Sequence, residues 1–78
     1  MENLTIEDAI KLVGGKREFI HCYINGSILI GADWEWNKFL ELLNNCDEIV
    51  ESGEVAKKMN HPLAVLIKNK WYFFDKKI

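Results

Sequence analysis

Arginine, proline, serine and cysteine are scarce in this 78-residue chain: Arg17 and Pro62 stand alone, and Ser27 with Ser52 and Cys22 with Cys46 are the only pairs. Each scarcity argues against a class of function. A single arginine weighs against base-specific nucleic-acid binding, because bidentate readout of guanine leans on that side chain. Neither serine lies in a nucleophile-elbow sequence, so no acyl-transfer centre is expected. Two cysteines among apolar neighbours read as reduced core residues, since nothing points to an oxidising compartment. Gly14-Gly15 and Gly53 belong to neither G-x-x-x-x-G-K nor G-x-G-x-x-G, so no phosphate cradle is expected.

Metal chemistry fares no better. His21 and Cys22 are adjacent in a strand-like run and alternate to opposite faces, and His61 has no partner at a zinc-ligand spacing. No metal and no cofactor are expected, and the chain reads as a non-enzyme. The longest apolar runs, Leu63 to Ile67 and Trp71 to Phe74, are too short to span a bilayer, and the acidic start MENLTIEDAI has no signal-peptide character. The expectation is a cytoplasmic protein without a membrane partner. Nine lysines, nine isoleucines and seven asparagines suit AT-rich bacterial or phage coding sequence.

What is present is an ordinary globular balance, 49% apolar and 28% charged, which predicts one domain over residues 1–78, and the order of its elements makes that domain α+β. Thr5-Ile-Glu-Asp8 has the form of a capping box ahead of Ile6, Ala9, Ile10 and Val13, and Gly14-Gly15 supplies a stop, so a helix is predicted over about 5–13. "EFIHCYI" and "SILIG" flank Asn25-Gly26, which predicts a two-residue hairpin turn pairing Ile24 with Ser27 and Cys22 with Leu29. Asp33 is placed as the cap of a second helix, with Trp36, Phe39, Leu40 and Leu43 as its core stripe. On that helix Trp34 points about 160° away from Trp36, onto the solvent face.

Between residues 46 and 61 the reading is a loop or a short helix over Ser52 to Met59, ending by about 60 ahead of Pro62. "LAVLIK" and "WYFFDK" around Asn69-Lys70 predict a second hairpin, with Leu63, Val65, Ile67, Tyr72 and Phe74 on one face and Ala64, Leu66, Lys68, Trp71 and Phe73 on the other. The order is α-β-β-α-(α)-β-β: a four-stranded, mainly antiparallel sheet packed with two or three short helices. The stretch "GEVAKKMNHPLAVLIKNKWYFF" also resembles a helix-turn-helix followed by a wing. Against groove reading, Leu-Ala-Val-Leu-Ile is too evenly apolar.

Two features point toward binding. Neither hairpin has a polar face, so either helices cover both sides of the sheet or the sheet curls, or else His21, Tyr23, Trp71 and Phe73 contribute to a partly exposed aromatic patch. Charge is also uneven. Residues 33–54 carry seven acids and Lys38, a net of −6, whereas residues 55–78 carry six lysines and Asp75, a net of +5. Trp34 is the candidate anchor of a docking surface steered by Glu35, Glu41, Asp47, Glu48 and Glu51, with His21, Tyr23 and Trp71 on the sheet. The expected function is a small non-catalytic protein-binding module, comparable in size and composition to the anti-CRISPR inhibitors of phage and mobile elements. The alternatives are a homodimeric structural or immunity-type protein, and a lysine-driven nucleic-acid binder, which the acidic segment disfavours.

Overall fold

A computed structural model describes residues 3–24, 30–55 and 62–74. The fold is α+β, with five strands where four are expected. In chain order these are α1 (Ile6–Leu12), β1 (Phe19–Ile24), β2 (Ile30–Glu35), α2 (Trp36–Asn45), β3 (Glu48–Glu51), β4 (Leu63–Ile67) and β5 (Lys70–Phe74). All pairings are antiparallel, and the strands lie in the order β2-β1-β5-β4-β3.

α1 begins as its sequence dictates. The Asp8 N–H donates to Thr5 Oγ1 at 3.1 Å, and the Thr5 N–H donates back to Asp8 Oδ2 at 3.3 Å. Gly14 and Gly15 then turn the chain at φ of 93° and 91°, a region that side chains with a Cβ avoid.

β1 and β2 do not pair in the predicted register. Ile24 pairs with Ile30 and Cys22 with Ala32, leaving residues 25–29 between the partners; Asn25-Gly26 itself lies outside the described residues. The pairing differs from the predicted register by three positions, an odd number, so β2 is inverted between the two faces. The second hairpin differs by an even number. It turns at Lys68-Asn69, both at positive φ (49° and 63°), with Ile67 opposite Lys70. Its faces are therefore those predicted.

β2 runs on through Glu35, and this corrects the placement of Trp34. Asp33 is not a helix cap; Asp33, Trp34 and Glu35 are strand residues, and α2 starts at Trp36 behind Glu35. Trp34 sits across from Ile20 on the core side of the sheet. Trp36, Phe39 and Leu43 are buried as the helical stripe requires, with Leu40 packed beside them.

The fifth strand, β3, comes from the acidic stretch read as loop or helix. Ile49 and Val50 are both buried, one toward each face, between the exposed or half-exposed Glu48 and Glu51. Its outer edge is occupied at Ile49, whose carbonyl accepts from the Leu4 N–H at 2.7 Å and whose N–H donates to Asn3 Oδ1 at 2.6 Å. Ser52–Glu54 then form a single 3-10 turn; the rest of the predicted third helix, 56–59, lies outside the described residues. β4 occupies the run that resembles the second helix of a helix-turn-helix, so that resemblance does not extend to the fold.

Both helices lie on one face. α1 packs against β3, and α2 against β1, β2 and β4. They close over Ile20, Cys22, Ile49, Leu63, Val65 and Phe74, together with Ala9, Val13, Trp36, Phe39 and Leu43. On the other face Val50, Ala64 and Phe73 are fully buried, with Val55, Tyr23 and Trp71 packed against them. The sheet thus has a complete core on the helix side and a smaller one on the outer side, centred away from β2. Among the described residues no helix is long and apolar enough to cross a membrane.

Candidate functional site

The outer face is built by strand alternation. β1 contributes Phe19, His21 and Tyr23, and β2 contributes their partners Glu35, Asp33 and Gly31 in that order. Trp71 of β5 lies on the same face and packs, like Tyr23, against the small outer core. In this half the face is open. Phe19 is 51% exposed, a large apolar side chain left to solvent, whereas Val50, Ala64 and Phe73 on the far half are fully covered.

Three residues interlock at its centre. His21 Nδ1 and Asp33 Oδ1 are 2.7 Å apart, and since a carboxylate only accepts, the imidazole donates from Nδ1. This turns Nε2 toward Gly31. The Tyr23 ring stands edge-on to His21, centroids 4.6 Å apart. A Cβ at position 31 would lie 2.8 Å from His21 Nε2 and 2.9 Å from Tyr23 Cε1, so the two rings occupy the space that glycine leaves.

A histidine oriented by a carboxylate is half of a nucleophile-activating arrangement, but the second half is not beside it. Cys22 points to the opposite face, in the core, and burial pushes its thiol up to about 12. That is the reverse of an activated cysteine. Burial also raises Cys46, whose Sγ donates to the Leu43 carbonyl at 3.3 Å; both cysteines are free. Ser52 is buried beyond β3, its N–H bonded to the Pro62 carbonyl. Among the described residues no group of three or more His, Cys, Asp or Glu could hold a metal.

The sheet order separates the residues expected to form one docking surface. Trp34 and Glu35 are on β2, at one edge, whereas Asp47, Glu48 and Glu51 border β3, at the other, four strand spacings or about 19 Å away. Trp34 is on the helix side, edge-on to Tyr72 and Phe74 at 5.7 and 5.6 Å, with Lys38 Nζ 4.5 Å from its ring centroid. Asp47 braces the second hairpin, its Oδ2 accepting from the Lys68 N–H at 3.2 Å. Glu41 is exposed on α2, and its carbonyl accepts from Asn45 Nδ2. Glu51 faces the α1 side, where with Leu4, Asp8, Lys11 and Leu12 it lines a cleft of about 410 Å³.

His21, Tyr23 and Trp71 do share the outer face, joined by Glu48 at its β3 margin. Sequence reasoning missed Phe19, Gly31 and Asp33 as members of this site. The pairing of His21 with Asp33 depends on the register of β1 against β2, which differs from the one that Asn25-Gly26 predicts. An open cleft of about 460 Å³ adjoins Phe19 at the entrance of β1, between Lys16, Arg17 and Glu18 on one side and Glu35, Trp36 and Asn37 on the other.

No protein-family model matches the sequence, and no curated protein and no solved structure matches the chain.

Proposed function

We propose that the chain is a small non-catalytic protein-binding module whose docking surface is the outer face of β1, β2 and β5. One observation carries this reading: an aromatic centre, Phe19, Tyr23 and Trp71, lies between acidic margins, with Asp33 and Glu35 on the β2 side and Glu48 on the β3 side. Aromatic anchors inside a polar rim are what a protein interface needs, because the anchors gain from desolvation while the rim sets orientation and encounter rate. Acidic margins suit a basic surface on the target. An inhibitor of the anti-CRISPR kind, encoded by a phage or mobile element against a bacterial defence system, fits the small size and the residue usage.

The test is capture from a low-GC bacterial lysate on the immobilised protein, followed by identification of the retained target. Phe19→Asp and Tyr23→Ala together should remove the captured protein. Glu41→Lys on the exposed side of α2 should retain it. Equal capture by all three proteins would sink the assignment of this face.

A further inference from the structure

At its Phe19 end the outer face has a different charge character from its margins. Lys16, Arg17, Glu18 and Glu35 gather around the cleft there, two charges of each sign, beside the exposed Phe19. A partner of one strong sign would find half of these charges repulsive. A second copy of the chain would not, because the bases precede β1 while Asp33 and Glu35 lie on the neighbouring strand β2.

We propose that the chain associates with itself, face to face, through the β1–β2 half of this surface, shielding Phe19 when no target is bound. The proposal rests on reading this face as a docking surface. A two-fold axis running parallel to the strands, between two facing copies, sets β1 of each over β2 of the other at the same level along the strand. At one end of the interface Phe19 of one copy then lies over the other copy's Glu35 and diagonally beside its Phe19, His21 lies over the other copy's Asp33, and Lys16 approaches the other copy's Glu35. Every contact occurs twice, as an isologous interface requires.

Among the described residues, edge-to-edge strand pairing is disfavoured at both ends of the sheet. The outer edge of β3 is occupied at Ile49 by Asn3 and Leu4, and the β2 edge carries Asp33 and Glu35, charges of the kind that keep edge strands apart. The area available sets the strength. A stable interface buries about 800 Å² per partner, roughly 15% of the 5319 Å² surface. Two six-residue strands offer a footprint of only about 20 by 10 Å. The association is therefore weak, with the dimer populated only toward the upper end of the micromolar-to-millimolar range.

Sedimentation equilibrium of the full chain from micromolar to millimolar concentration tests this. The average mass should rise with concentration toward that of a dimer, and Phe19→Asp should hold it at that of a monomer. Lys16→Glu and Glu35→Lys should each weaken association about threefold to tenfold, as two exposed ion pairs per dimer allow. A mixture of these two variants should associate again, since every swapped charge then meets its opposite. Circular dichroism confirms that each variant is folded. A strict monomer at millimolar concentration overturns the proposal, as does a dimer indifferent to Phe19→Asp and to the charge swaps. Either result leaves the target-binding reading to be decided by its own capture experiment.

Discussion

Trp34 and Phe74 meet edge to face above β1, their ring centroids 5.6 Å apart and their planes at 80°. Tyr72 adds a second edge contact to Trp34, Phe39 packs at a tilt against Phe74 at 4.7 Å, and Trp36 against Phe39 at 5.0 Å. The two tryptophans are thus ends of one aromatic chain on the helix side. Trp34 reaches it as a strand residue and Trp36 as the first residue of a helix, and a two-residue separation that splits them on a helix aligns them across this junction.

Both tryptophans should therefore be needed for stability. Trp36→Ala empties a buried site and should cost about 3–5 kcal/mol; Trp34→Ala, partly exposed at the margin of the core, should cost about 2–3 kcal/mol. Thermal melts decide it. At about 4–8 °C per kcal/mol for a chain of this size, both variants should melt at least about 8 °C below the wild type. A Trp34→Ala melt within a degree or two of wild type would show that its ring contacts contribute little.

How legible this fold was depended on where parity entered. The second hairpin turned one residue earlier than expected, but the register moved by two, and Leu63, Val65, Tyr72 and Phe74 kept their face. The first moved by three, and the strand containing Trp34 exchanged faces. Local chemistry at α1 was readable because Thr5 and Asp8 bond within one turn, with no tertiary contact involved. β3 was hidden because a short edge strand keeps its apolar content to two residues, Ile49 and Val50, and surrounds them with the acids that also mark loops. The candidate site was half legible: His21, Tyr23 and Trp71 follow from alternation alone, whereas Asp33 and Gly31 join only through the correct pairing of β2.

Gly31 should tolerate no side chain without a change in its neighbours. In Gly31→Ala the new methyl meets His21 Nε2 and Tyr23 Cε1 inside contact distance, so both rings must swing outward and the bond from His21 to Asp33 is lost. The expected cost is about 1–2 kcal/mol, the scale of a broken charge-assisted hydrogen bond. Asp33→Asn alone should also destabilise, but combined with Gly31→Ala it should add almost nothing. Additive costs in that double-mutant cycle would show that the methyl is accommodated without moving His21.

The turn at Lys68-Asn69 should be open to improvement. Both residues hold positive φ, which two-residue hairpin turns favour and which asparagine and glycine adopt more readily than lysine. Replacing the pair by Asn-Gly should stabilise by about 0.5–1 kcal/mol, the relief of the left-handed conformation outweighing the extra freedom glycine gives the unfolded chain. Asp47→Ala should have the opposite effect, because the Lys68 N–H loses its acceptor. Urea midpoints for the two variants should move in opposite directions; a shared direction would contradict this account of the turn.

Cys22 should make the fold sensitive to alkali. Burial raises its thiol from 9.0 to about 12, so between those values the folded chain holds a proton that the unfolded chain releases. By linkage, a group whose folded value is raised contributes its full stability below the unfolded value and loses that contribution as pH climbs toward the folded one. The stability attributable to Cys22 is therefore flat below about pH 9 and declines above it. Cys46 is raised in the same direction and adds to the decline. The informative quantity is the difference between wild type and Cys22→Ala. The variant should be less stable at neutral pH, where it leaves a small cavity, yet lose less stability between about pH 8 and pH 10.5. Thiol labelling gives an independent reading: Cys46, half-buried, should react first, and Cys22 should react at the rate of unfolding. Parallel pH slopes for the two proteins, together with equal labelling rates for the two thiols, would show that the Cys22 proton is not held by the fold.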